Sequence, residues 1–213
     1  MNLFGVLSEV YPTLLTGLTM TVKITILSLI IALVIGIFVC LMNISSNIVL
    51  RGIAKFYIWL IRGTPMLVQA FYFYFALPQL VQAVTGSQFR ITVFTASLVT
   101  LALNAGAYIS EIFRGSIESV NKGQMEAARS LGLSYAKSMQ KIILPQAVRI
   151  CLPSLVNQFI ITLKDSTILY NAKIYVGRTM ESFATYTWVA VFFLLIVTVL
   201  SFISRYVERR MNA

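Results

Sequence analysis

Residues 24–42 read ITILSLIIALVIGIFVCLM, nineteen in a row without a charge, and this stretch decides the fold class. A bilayer core about 30 Å thick is crossed by roughly 20 apolar residues of helix. The stretch is predicted to span a membrane, extended back toward Thr13 through TLLTGLTMTVK with Lys23 as the one charge inside it. Outward from there, four more runs fit the same criterion. They are 66–84, introduced by the Gly63-Thr64-Pro65 break; 91–110; 146–163, which is interrupted by Arg149, so that only 150–163 is free of charge, and must tolerate a kink at Pro153; and 182–204. The composition agrees: 58% of the 213 residues are apolar, 11% are charged, and the mean hydropathy is +0.84. The fold class expected is an all-α integral membrane protein of five transmembrane helices, spans about 13–42, 66–84, 91–110, 146–163 and 182–204, in one domain covering 1–213.

The formal charge of +10 is read as topology, with no nucleic-acid partner, because its distribution is one-sided. Between and after the expected spans, Arg51, Lys55 and Arg62, then Arg114, Lys122, Arg129, Lys137 and Lys141, then Arg205, Arg209 and Arg210 fall on one side; Arg90, Lys173 and Arg178 fall on the other. Basic connections stay cytoplasmic, which predicts an N-terminus outside and a C-terminus in the cytoplasm. The first span is too long for the apolar core of a signal peptide and is expected to remain.

Several chemistries are excluded. The chain has no histidine and two cysteines, Cys40 and Cys151, each in an apolar stretch, so neither a disulfide framework nor a metal-ligand cluster is expected. A phosphate-binding G-x-x-x-x-G-K-[ST] loop is also missing from the sequence, and ATP-driven work would need a partner. Tandem repeats are not apparent, and five spans do not divide into two equal inverted halves, so symmetry would come from a second chain.

The longest polar connection, residues 111–141, carries most of the functional information. Val120, Gln124, Ala127 and Leu131 recur at helical spacing, Gly132 stands where a left-handed C-terminal residue belongs, and Ser134 suits the cap of a second short helix, 135–141. A helix-turn-helix is predicted over about 115–144. Residues 126–145, EAARSLGLSYAKSMQKIILP, resemble the EAA motif of inner-membrane permeases of ATP-binding-cassette importers: Glu126, Ala127, Ala128, Gly132, Ile142, Leu144 and Pro145 stand at the matching positions. The stretches 62–69 (RGTPMLVQ), 107–115 (AYISEIFRG) and 163–168 (LKDSTI) resemble the polar amino acid branch (histidine, glutamine, arginine type). After Ile168 the run LYNAKIY is more polar than that branch's pattern.

That resemblance implies a type I importer permease with a cytoplasmic coupling helix-turn-helix, forming the translocation path with a second permease subunit, identical or homologous. It implies two cytoplasmic ATP-binding-cassette ATPase subunits, an extracytoplasmic amino acid binding protein and residence in the bacterial cytoplasmic membrane. The chain would bind no cofactor of its own, ATP and Mg belonging to the ATPase, and would carry no catalytic or metal-binding residues. Coupling to the ATPase falls to Glu126, Ala127, Ala128, Leu131, Gly132 and Ser134. The alternative is an ion-coupled secondary carrier, whose Asp165 and Glu111 would carry protons or sodium, or a channel for small polar solutes.

Polar groups at membrane depth are candidates for the substrate path, because an unpaired one in lipid costs several kcal/mol. Asn104, Gln69, Tyr72, Asp165 and Thr167 are the candidates. Asn104 either lines the path or makes an interhelical hydrogen bond, and Asp165 either meets an ammonium or closes a local pair with Lys164. Glu111 and Arg114, at the end of the third span, are assigned to positioning the loop. Ala102, Gly106 and Ser110 form a small-residue stripe suited either to packing within the chain or to a dimer seam.

Overall fold

The structure, a computed structural model, describes residues 3–164 and 182–211, and among them all regular structure is helical. The order is α1 (Leu3–Ile44), α2 (Ile48–Gly63), α3 (Met66–Phe71), a π-helical turn (Tyr72–Ala76), α4 (Leu77–Thr85), α5 (Val93–Ser119), α6 (Lys122–Ser130), α7 (Tyr135–Ser138), a second π-helical turn (Met139–Ile143), α8 (Leu144–Lys164) and α9 (Ser182–Met211). Among the described residues, four helical stretches are long and apolar enough to cross a membrane: Leu15–Ile44, Met66–Thr85, Val93–Ser119 and Tyr135–Lys164. Within α9, Thr187–Phe202 is a shorter apolar run. The four overlap the first four stretches expected from sequence, and the shorter run lies inside the fifth, 182–204.

Three boundaries differ from the expectation. The connection 43–65 contains α2, capped by the Asn47 side chain, which accepts from Val49 N at 2.9 Å. Its three basic residues and its 16-residue length hid it from a search for apolar spans. Next, α5 continues past Ser110 to Ser119 because Glu111, Arg114 and Glu118 support one another at i,i+3 and i,i+4. Lastly, the second helix of the hairpin does not stop near Lys141: α7, the second π turn and α8 run on as one stretch to Lys164. Each π turn ends two residues before a proline, Pro78 and Pro145. A proline lacks the amide hydrogen and crowds the carbonyl four residues back, and a wider turn absorbs both defects.

The chain divides into two compact units, Ser28–Gln158 and Met1–Leu27 with Phe159–Ala213. In the second, the rings of Tyr11 and Phe192 meet with centroids 6.2 Å apart. The first holds the core that positions the site. Ala32, Ala105 and Ile109 are buried together, with Leu29, Phe113 and Leu155 against them. Lipid tails are as apolar as leucine, so close packing has to hold such helices together. Here α1 and α5 each offer a glycine to the other's isoleucine. A Cβ on Gly36 would lie 2.5 Å from Ile109 Cγ2, and one on Gly106 would lie 2.8 Å from Ile35 Cγ2. The stripe Ala102, Gly106 and Ser110 is buried, and Gly106 faces α1 of the same chain.

Candidate functional site

The hairpin follows from local rules. Asn121 caps α6 by accepting from Gly123 N at 2.8 Å. At the other end Gly132 adopts φ +83°, and two bonds close the turn: Leu133 N to Ala128 O at 3.1 Å and Gly132 N to Arg129 O at 3.0 Å. That pair of bonds defines a Schellman motif, which satisfies carbonyls the helix end would otherwise orphan. Ser134 then opens α7, accepting from Lys137 N at 3.4 Å while its carbonyl accepts from Ser138 N at 2.9 Å.

Burial divides the hairpin into a seated face and a free face. Val120, Ile143 and Ala147 are buried together, packed by Ile117, Met125, Met139 and Ile142. This cluster fixes the hairpin to the end of α5 and the start of α8. Ala128 is buried, whereas Glu126, Ala127 and Ser134 are exposed. Leu131 is 83% exposed at the turn and Tyr135 is 59% exposed beyond it. The turn thus holds two apolar side chains out from the seated face.

Above the hairpin, Glu111 joins three helices. Its carboxylate meets Arg114 Nε at 2.9 Å and Nη2 at 3.0 Å, Arg62 Nη1 of α2 at 3.5 Å, and Asn43 Nδ2 of α1 at 3.4 Å. Arg62 also lies over the Tyr108 ring, 5.0 Å from its centroid, and Arg114 reaches Glu118. Glu111 and Arg114 thus sit in the C-terminal part of α5, which leads into the hairpin. Arg62 and Asn43 belong to the same node and were not singled out for it from sequence; only the proximity of Arg62 to the Gly63-Thr64-Pro65 break hinted at a fixed place.

The candidate path residues fall into separate places. Gln69 is buried; its Nε2 donates to Ile61 O at 2.7 Å, Thr64 O at 3.0 Å and Thr64 Oγ1 at 2.8 Å, and its Oε1 accepts from Asn104 Nδ2 at 3.3 Å. Gln69 therefore closes the break between α2 and α3, capping carbonyls that the Gly63-Thr64-Pro65 interruption leaves over. Asn104 makes the interhelical hydrogen bond, and its Oδ1 has no hydrogen-bond partner among the described residues. Tyr72 is exposed on the first π turn, edge-on to Phe73. Asp165 and Thr167 lie outside the described residues.

Comparison with known proteins sets this geometry in context. Residues 32–213 match the family described as binding-protein-dependent transport system inner membrane component. The chain is 39% identical over 210 residues to the glutamine transport system permease protein GlnP of Escherichia coli (strain K12), covering 94% of each. It is 38% identical over 213 residues to the arginine transport system permease protein ArtQ of Bacillus subtilis (strain 168), covering 95% of this chain and 94% of the relative. It also superposes on a chain of the crystal structure of an amino acid ABC transporter with histidines at a TM-score of 0.90, with 36% identity and coverage of 97% and 98%.

Proposed function

The chain belongs to the family of binding-protein-dependent transport system inner membrane components, and we propose that it imports a polar amino acid as one of two permease subunits of an ATP-driven transporter. It is an ABC-importer permease, a transporter component. In this reading the chain performs no covalent chemistry and ATP is hydrolysed by two cytoplasmic ATPases. An extracytoplasmic binding protein delivers the amino acid, and residues 1–213 form one membrane domain with the N-terminus outside and the C-terminus in the cytoplasm.

The observation that carries the reading is the hairpin's seated and free faces. When two ATPases close around ATP, a rigid helix lodged in each moves with them. The buried cluster of Val120, Ile143 and Ala147 passes that displacement to α5 and α8 without a loose joint. Glu126, Ala127 and Leu131 form the docking surface, Ala128 and Gly132 shape it, and Ser134 fixes the start of α7. Closure and the loaded binding protein each favour the outward-open arrangement by binding it more tightly. Asn104, Tyr72, Asp165 and Thr167 remain the proposed contacts of the path, with Gln69 holding Asn104 in place.

Reconstitution tests the proposal. Proteoliposomes holding the permease, its ATPase and its binding protein are expected to accumulate a labelled polar amino acid only with ATP inside. Uptake by the permease alone, driven by a proton or sodium gradient, would establish the carrier alternative instead. Glu111 offers that alternative little support, since Arg114 and Arg62 both pair with it.

A further inference from the structure

The end of α1, one face of α2 and the C-terminal part of α5 enclose a cleft of about 660 Å³ whose lining includes Arg51, Lys55, Trp59, Glu111, Arg114 and Glu118. Its charges are unevenly matched. Arg114 engages both acidic side chains, bonding Glu111 through two nitrogens and Glu118 through the third. Arg51 turns Nε and Nη2 onto a single neutral acceptor, the Ser45 carbonyl, at 3.1 and 2.7 Å. Lys55 makes no hydrogen bond or ion pair among the described residues, and neither Arg51 nor Lys55 meets a carboxylate there. Two cations one helical turn apart therefore border the cleft without a counter-charge.

The rest of α2 indicates what supplies the counter-charge. With 16 residues the helix is about 24 Å long, short of a bilayer core. Ile48, Val49, Ile53, Phe56 and Trp59 are all exposed, with the rings of Phe56 and Trp59 5.9 Å apart. A short helix with exposed aliphatic and aromatic side chains beside unmatched cations suits the depth where lipid headgroups meet acyl chains. We propose that this cleft binds the phosphate headgroup of an anionic phospholipid, with Arg51 and Lys55 on the phosphate and the Phe56–Trp59 pair along the first methylenes. A headgroup held there braces α2 beside the Glu111 node. The orientation proposed above decides only which leaflet supplies the lipid. Inorganic phosphate offers the same oxygens without the chains.

The test uses the whole transporter in phosphatidylcholine bilayers carrying spin-labelled phosphatidylglycerol or spin-labelled phosphatidylcholine in both leaflets, so that orientation does not affect the readout. The fraction of immobilised label measures relative association. Wild type is expected to prefer phosphatidylglycerol, Lys55→Gln to lower that preference about fivefold, and the Arg51→Gln/Lys55→Gln pair to lower it further, as expected for basic groups near an anionic headgroup. Lys137→Gln, exposed on the hairpin, is expected to leave it unchanged. Lys55 is exposed and makes no hydrogen bond or ion pair among the described residues, so its variant remains informative even if Arg51→Gln disturbs the start of α2. Equal association of the two lipids with wild type, an unaltered preference in Lys55→Gln, or displacement of the lipid by inorganic phosphate would each overturn the proposal, the last by identifying a soluble anion site.

Discussion

Replacing Gly132 by valine isolates the hairpin's geometry from everything else in the chain. Gly132 holds φ +83°, and a Cβ built there meets nothing within 4 Å, so the cost lies in the backbone and not in a clash. For an L-residue the left-handed region costs about 1–2 kcal/mol, and a β-branched side chain stands at the upper end. If the turn relaxes instead, the bonds from Leu133 N to Ala128 O and from Gly132 N to Arg129 O are lost, at roughly 0.5–1.5 kcal/mol each. Either route shifts the native hairpin by about 1–3 kcal/mol, roughly a 5- to 150-fold change in its equilibrium. Membrane insertion is expected to be normal, because Gly132 lies in the polar connection outside the spans. Uptake per ATP hydrolysed is expected to fall at least fivefold, measured in proteoliposomes by labelled amino acid and released phosphate together. Gly132→Asn is expected to lose much less, since asparagine tolerates positive φ. Wild-type coupling in Gly132→Val would refute the reasoning, as would an asparagine variant as impaired as the valine.

Other substitutions probe the elements beneath the hairpin. Glu111→Gln removes the partner of Arg114 and Arg62, both at partly exposed pairs; thermal unfolding in detergent is expected to shift by no more than about 1 kcal/mol per pair, while the ratio of transport to ATP hydrolysis drops. Gly106→Val drives a side chain toward Ile35 Cγ2 and Tyr57 Oη, and it is expected to destabilise the α1–α5 packing by about 1–3 kcal/mol, read as a lower unfolding temperature. Gln69→Leu leaves the carbonyls of Ile61 and Thr64 without their donor and is expected to cost about 1–3 kcal/mol. The same variant frees Asn104, so altered substrate affinity beside the lower stability would place Asn104 in the path.

Much of this was legible because lipid and backbone impose simple demands. The charge-free run 24–42 lies inside the apolar stretch Leu15–Ile44, and the positive φ of Gly132 is readable from its place after Leu131, where a helix needs a residue without a Cβ. The role of Ser134 as a cap was legible for the same local reason. By contrast α2 was hidden: Arg51, Lys55 and Arg62 break its apolar pattern, although Ala54, Tyr57 and Ile61 mark a helical face once α5 is known to lie beside them. Gln69 was read as a lining group because a buried amide in a span suggests a cavity. Its partners are carbonyls of Ile61 and Thr64 across the helix break and Asn104 of α5, and sequence spacing does not encode where the bend places them. Arg62 and Asn43 meet Glu111 from distant parts of the chain for the same reason.

The central claim is that the exposed face of the hairpin is gripped by the ATPase. The most direct measurement is disulfide cross-linking of Leu131→Cys, in a chain whose Cys40 and Cys151 are replaced by serine, to cysteines placed around the surface of the partner ATPase. The account expects rapid cross-links confined to one cleft of the ATPase, with uptake blocked once they form. Cross-links that do not form at Leu131, while positions elsewhere on the chain bond readily to the ATPase, would contradict it.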